Sequence, residues 1–258
     1  NGWPTFLFLL FYFAPTTDFF ALMDLQRYAT IVISVLTIIP VYLLCRRFVD
    51  RHFALLGATL FCFEPRLIQN SVLGLTEPLF ILLETITLYL FFSKSNKITY
   101  SSFAIAGLFS LIRYEGLMLF ISLSLMFFVR FRTDKRIIFR YLLVLGIFVG
   151  TILPMAIIRY DTVGQDGLLS HLFSGANFVS EHVIDGKPDF DDPISGEDGT
   201  NKILYFLSIA FSNFVRYFVW LMIPIFVLFL PLGIFYVWKA KDRGILYLIS
   251  IGIFMLIP

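Results

Sequence analysis

Charge is the scarce component of this chain. Only 15% of its 258 residues are Asp, Glu, Lys or Arg, against 59% hydrophobic and a mean hydropathy of +0.85. A water-soluble domain of this length has no use for so much apolar surface, so the composition points to a polytopic membrane protein. Cysteine is nearly absent. Cys45 and Cys62 fall at opposite ends of adjacent predicted helices, so no disulfide is expected and both read as small apolar residues. Histidine is equally sparse, and His171 and His182 lack a metal-ligand spacing. No phosphate-binding glycine loop, zinc motif or nucleophile elbow is present, and the basic loops are too short and dispersed for nucleic acid. Nor is there a cleavable signal pattern. We expect the chain to be a piece of a longer protein.

What is present is a series of apolar runs. Those long enough to span a bilayer lie at 27–45, 78–92, 116–131, 137–158 and 213–238, with shorter runs at 53–63, 102–112 and 246–258. A perpendicular span needs about 20 residues, so the shorter runs make sense as short or broken helices packed against neighbours. The expected fold is therefore an all-α, polytopic transmembrane bundle of about eight spans forming one domain. An apolar stretch at 6–13, ending at Ala14-Pro15, is read as an interfacial or re-entrant segment.

Loop charge gives the expected orientation. Arg46, Arg47 and Arg51; Lys94 and Lys97; Arg130, Arg132, Lys135 and Arg136; and Lys239, Lys241 and Arg243 fall at every second connection. That is the positive-inside pattern. The alternate connections are 64–76, the tight Arg113-Tyr114-Glu115 turn and the long loop 160–202. This loop is acidic, with Asp161, Asp166, Glu181, Asp185, Asp189, Asp191, Asp192, Glu197 and Asp198. All three polar features are expected on the non-cytoplasmic face.

Each feature has a plain reading and a functional one. Pro78 suits the first position of a helix, which puts Glu77 at or next to the N-cap, where a carboxylate interacts with the positive end of the helix dipole. The same carboxylate at a membrane surface is also a candidate catalytic group, because charge near hydrocarbon is retained only with partners, water or substrate. Glu64-Pro65 reads as a helix stop. Arg113 and Glu115 pair with each other or with headgroups, or else Arg113 grips a phosphate with its planar fork, and Arg27 at a helix entry has the same two readings. The carboxylates from Asp185 to Asp192 could hold a divalent cation, although they match no calcium-loop spacing, and acidic surface loops are common.

Several stretches occur together in a familiar order. Gly2-Trp3-Pro4 is followed by Leu25-Gln26-Arg27-Tyr28, Val41-Tyr42 through Arg46-Arg47, Thr76-Glu77-Pro78 and Ile112-Arg113-Tyr114-Glu115-Gly116. Over roughly residues 1–160 this order resembles the GT-C superfamily of integral-membrane glycosyltransferases, particularly protein mannosyltransferases, aminoarabinose transferases and archaeal relatives. The resemblance implies a polyprenyl-phosphate sugar donor, an external active site and inversion at the anomeric carbon. In that family a first-loop acid serves as general base, a second acidic residue helps arrange the site, and an arginine meets the phosphate. Glu77 matches the second acidic position and Arg27 the helix-entry arginine. Arg113 and Glu115 match a position flanking the cavity. The first acid is expected upstream of Gly2, so the piece alone is expected to be inactive. Asp18 and Asp24 follow the motif and are not assigned as base. By position, the loop 160–202 would cover the cavity or help select the acceptor.

The acceptor stays open among protein, lipid and glycan, and so does dependence on a divalent cation. Two other classes are weighed beside this one. A transporter or lipid flippase would place ionisable groups near mid-span, whereas here they gather at the external ends. A non-catalytic membrane subunit would use the acidic loop to dock a partner.

Overall fold

The helices of this chain largely follow its apolar runs. The computed structural model describes residues 2–113 and 115–163, and every regular element among them is an α-helix. In order these are α1 (Gly2–Tyr12), α2 (Phe19–Cys45), α3 (Arg51–Cys62), α4 (Pro65–Val72), α5 (Glu77–Phe91), α6 (Asn96–Ile112), α7 (Glu115–Arg130) and α8 (Ile137–Val163). The runs at 213–238 and 246–258 and the acidic loop beyond Val163 lie outside the described residues.

Two limits differ from the sequence reading. First, α2 begins well before residue 27. Asp18 adopts an extended backbone and its carboxylate accepts from the Ala21 amide at 3.1 Å, so the helix is capped there. Arg27 consequently lies more than two turns inside α2 and does not open it. Second, the connection 64–76 is not a plain turn. Glu64 is the extended N-cap and Pro65 occupies the first turn of the short helix α4, which Gly74, at φ +73°, then terminates. Other bounds moved as well: α6 starts at Asn96, ahead of the run at 102–112, α8 carries the first residues of the expected loop, and α1 starts at Gly2.

Among the described residues, α2 and α8 are long and apolar enough to cross a membrane, and only 17% of the most apolar window of each is buried. A core helix of a water-soluble protein would instead be largely enclosed. Their outward faces carry Val32, Leu36, Ile138, Phe139 and Leu142. α5, α6 and α7 have 15, 17 and 16 residues. At 1.5 Å per residue they reach roughly 22–26 Å, against about 30 Å for a bilayer core.

α6 is the centre of the packing, against α1, α5, α7 and α8. Phe103 sits in its middle, fully buried, with Phe91 of α5 and Phe120 and Phe127 of α7 arranged edge-on around it. Gly107 permits close approach of α8, because a Cβ there would stand 2.9 Å from Thr151 Cβ. Polar residues inside these helices satisfy themselves locally. The hydroxyls of Thr37, Thr85, Thr87, Ser110, Ser122 and Thr151 each donate to the carbonyl four residues earlier. That arrangement lets a helix carry hydroxyls in apolar surroundings.

Candidate functional site

The polar site is built where four helix ends meet. Gln26 of α2 donates through Nε2 to the Gly74 carbonyl at 2.6 Å, and Thr30 Oγ1 donates to the Ser71 carbonyl at 2.7 Å. These bonds tie the α4–α5 turn to α2. A Cβ on Gly74 would be strained by its positive φ and would crowd Gln26 at 3.3 Å, so the tight approach depends on glycine.

From this turn α5 starts with Glu77 as its first residue and Pro78 next, while Thr76 takes the N-cap position without a side-chain bond. The sequence placed Glu77 at or beside the cap, and the structure puts it one step inside. Its carboxylate still lies in the first turn, at the favourable end of the dipole.

Across from it α6 ends at Arg113, whose backbone is extended. Gly116 enables the reversal into α7, since a Cβ there would fall 2.5 Å from the Ser110 backbone. Arg113 Nη1 meets Glu77 Oε1 at 3.2 Å, with both side chains about one-third exposed (34% and 30%). The guanidinium also lies 5.1 Å from the centre of the Phe80 ring, itself 4.4 Å from that of Phe109. Arg113 is thus held by a carboxylate on one side and an aromatic face on another. Glu77 Oε2 is buried and finds no hydrogen-bond partner among the described residues. A buried carboxylate oxygen in that condition is a strong acceptor without a donor.

Of the four residues singled out from sequence, the structure brings Glu77 and Arg113 into contact. Arg27 lies at the same end but pairs with Asp24 at 3.2 Å, both exposed, and its Cγ lies near the Gly74 turn. Glu115 starts α7, and its side chain lies outside the described residues. Behind Glu77 a tight space with no room for a water molecule is walled by Ser34, Thr37, Asn70, Pro78 and Ile81. Next to it, a cleft of about 200 Å³ runs between α2, the end of α3 and α4, lined mostly by apolar side chains such as Ile31, Val35, Leu67 and Val72. Among the described residues no three His, Cys, Asp or Glu side chains converge as metal ligands. The Asp185–Asp192 carboxylates lie outside them. Both cysteines are free.

Sequence reasoning passed over Glu84. It sits midway along α5, seven residues from Glu77 and so on nearly the same face, half-buried. No hydrogen bond or ion pair engages it among the described residues. It stands out in sequence as the single Asp, Glu, Lys or Arg within the run 78–92, although the run's high apolar content hides it. Glu84 is therefore an exception to the gathering of charged groups at helix ends.

No protein family, curated protein or solved structure matches the chain.

Proposed function

We propose that this chain is part of a multi-pass membrane glycosyltransferase that moves a sugar from a polyprenyl-phosphate donor to an acceptor on the non-cytoplasmic face, with inversion. The observation that carries the proposal is the Glu77–Arg113 pair, a carboxylate and a guanidinium held together at one end of an apolar helical bundle. Transfer from a phosphate-linked donor needs both kinds of group. The acceptor must lose a proton as it attacks, and the departing phosphate must be met by a cation. Glu77 arranges the acceptor, a second carboxylate takes its proton as general base, and Arg113 receives the phosphate oxygens through its fork. Arg27 adds positive charge at the rim, and Glu115 begins the helix next to Arg113. In this reading the short helices α5, α6 and α7 leave the site recessed below the outer membrane surface, within reach of a donor whose polyprenyl chain stays in the lipid.

The test is sugar transfer by the full-length protein in membranes supplied with a radiolabelled polyprenyl-phosphate sugar. Arg113→Ala is expected to lower turnover at least tenfold while the protein still assembles. Unchanged transfer would remove Arg113 from the reaction.

A second reading, a transporter or lipid flippase, is favoured by Glu84. A mid-helix carboxylate is what an ion or proton pathway uses.

A further inference from the structure

The end of the bundle opposite Glu77 carries its own charge constellation. Arg47, from the α2–α3 connection, donates to the Phe92 carbonyl at 2.7 Å. Arg130, from the end of α7, donates to the carbonyls of Phe91 and Ser93. Two arginines from two connections thus cap the carbonyl end of α5, where positive charge is favoured. The capping draws the α2–α3, α5–α6 and α7–α8 connections together around one helix end.

Their remaining basic side chains face outward: Arg46 and Arg51; Lys94 and Lys97; Arg132, Lys135 and Arg136. Against them stand one exposed carboxylate, Asp50, and Asp134, which is already engaged by Arg140 at 2.6 Å and by the Arg136 amide at 2.9 Å. Large apolar side chains are exposed in and beside the same connections, namely Val49, Phe53, Ile98, Val129, Ile138 and Phe139.

The geometry points to a binding surface for anionic phospholipids, with their headgroups bridging the three connections and their acyl chains lying on the apolar side chains beneath. The two parts of the surface select this partner together. A soluble polyanion would satisfy the lysines and arginines and leave the apolar rim in water, whereas an amphiphile with a negative head covers both. The inference rests on membrane insertion of the chain and is independent of sugar transfer.

The test uses the full-length protein reconstituted in bilayer discs of mixed phosphatidylglycerol and phosphatidylcholine, with the bound lipid measured by native mass spectrometry. The wild type should enrich phosphatidylglycerol, and high salt should weaken the enrichment. Lys94→Gln combined with Lys97→Gln should lower the preference on the order of tenfold. Lys94→Arg with Lys97→Arg should retain it, and Arg159→Gln, at the opposite end, should leave it unchanged. Equal retention of both lipids by the wild type, or full retention of the preference by the glutamine variant, would overturn the proposal. Failure of the chain to enter the bilayer would overturn it as well, by removing the membrane on which it depends.

Discussion

Glu77 owes its position to neighbours that act on it differently. Pro78 and the start of α5 hold its backbone, and Arg113 holds one carboxylate oxygen at 3.2 Å. At one-third exposure, solvent screens this pair, so its coupling should be modest. A double-mutant cycle of Glu77→Gln and Arg113→Ala, read by thermal unfolding in detergent, is expected to give about 0.5–1 kcal/mol. A coupling several times larger would mean the pair is far less solvated than its exposure implies. Glu84 makes the opposite case. With no engaged partner among the described residues, its carboxyl group costs more in apolar surroundings than a leucine would. Glu84→Leu should therefore raise the unfolding midpoint by a few degrees. A fall would reveal a partner in the rest of the protein.

At the scale of elements, two glycines determine how the helices meet. Gly74→Ala forces a Cβ into a positive-φ position and against Gln26, and should cost about 1–2 kcal/mol. Gly116→Ala pushes a Cβ onto the Ser110 backbone, which cannot rotate away, and should cost more, roughly 1–3 kcal/mol. Thermal unfolding of both variants checks the order, and Gly116→Ala at wild-type stability would contradict the tight α6–α7 reversal. The positions of α5, α7 and α8 were legible in the sequence because their apolar runs are long and bounded by charge or proline. α4 was not, because eight residues give two turns of amphipathic period, too few to separate from a polar loop. Arg27 was misplaced at a helix entry because the capping Asp18 precedes aromatic residues that resemble loop as readily as helix. The Glu77–Arg113 contact joins residues far apart in sequence, and only the antiparallel return of α6 beside α5 creates it. Periodicity alone does not encode such a meeting. Glu84 was passed over for another reason, since one carboxylate hardly alters the average hydropathy of its run.

At the scale of the whole molecule, we propose that the two ends of the bundle face different compartments. The basic connections converge on the end of α5 at Phe91, and the Glu77–Arg113 pair lies at its start. Single cysteines introduced at Ser95 and at Leu73, in a variant with Cys45 and Cys62 replaced by alanine, should differ in reaction with a membrane-impermeant maleimide applied from outside. Leu73→Cys should react and Ser95→Cys should react only after permeabilisation. Equal labelling of both would contradict the assigned sidedness. The chemistry assigned to the outer end has a more direct test. In the full-length protein in native membranes, the initial rate of sugar transfer from a radiolabelled polyprenyl-phosphate donor should fall about a hundredfold in Glu77→Gln, with assembly and labelling topology unchanged. Transfer at the wild-type rate would contradict the account, because a carboxamide at that position cannot carry the charge that arranges the acceptor.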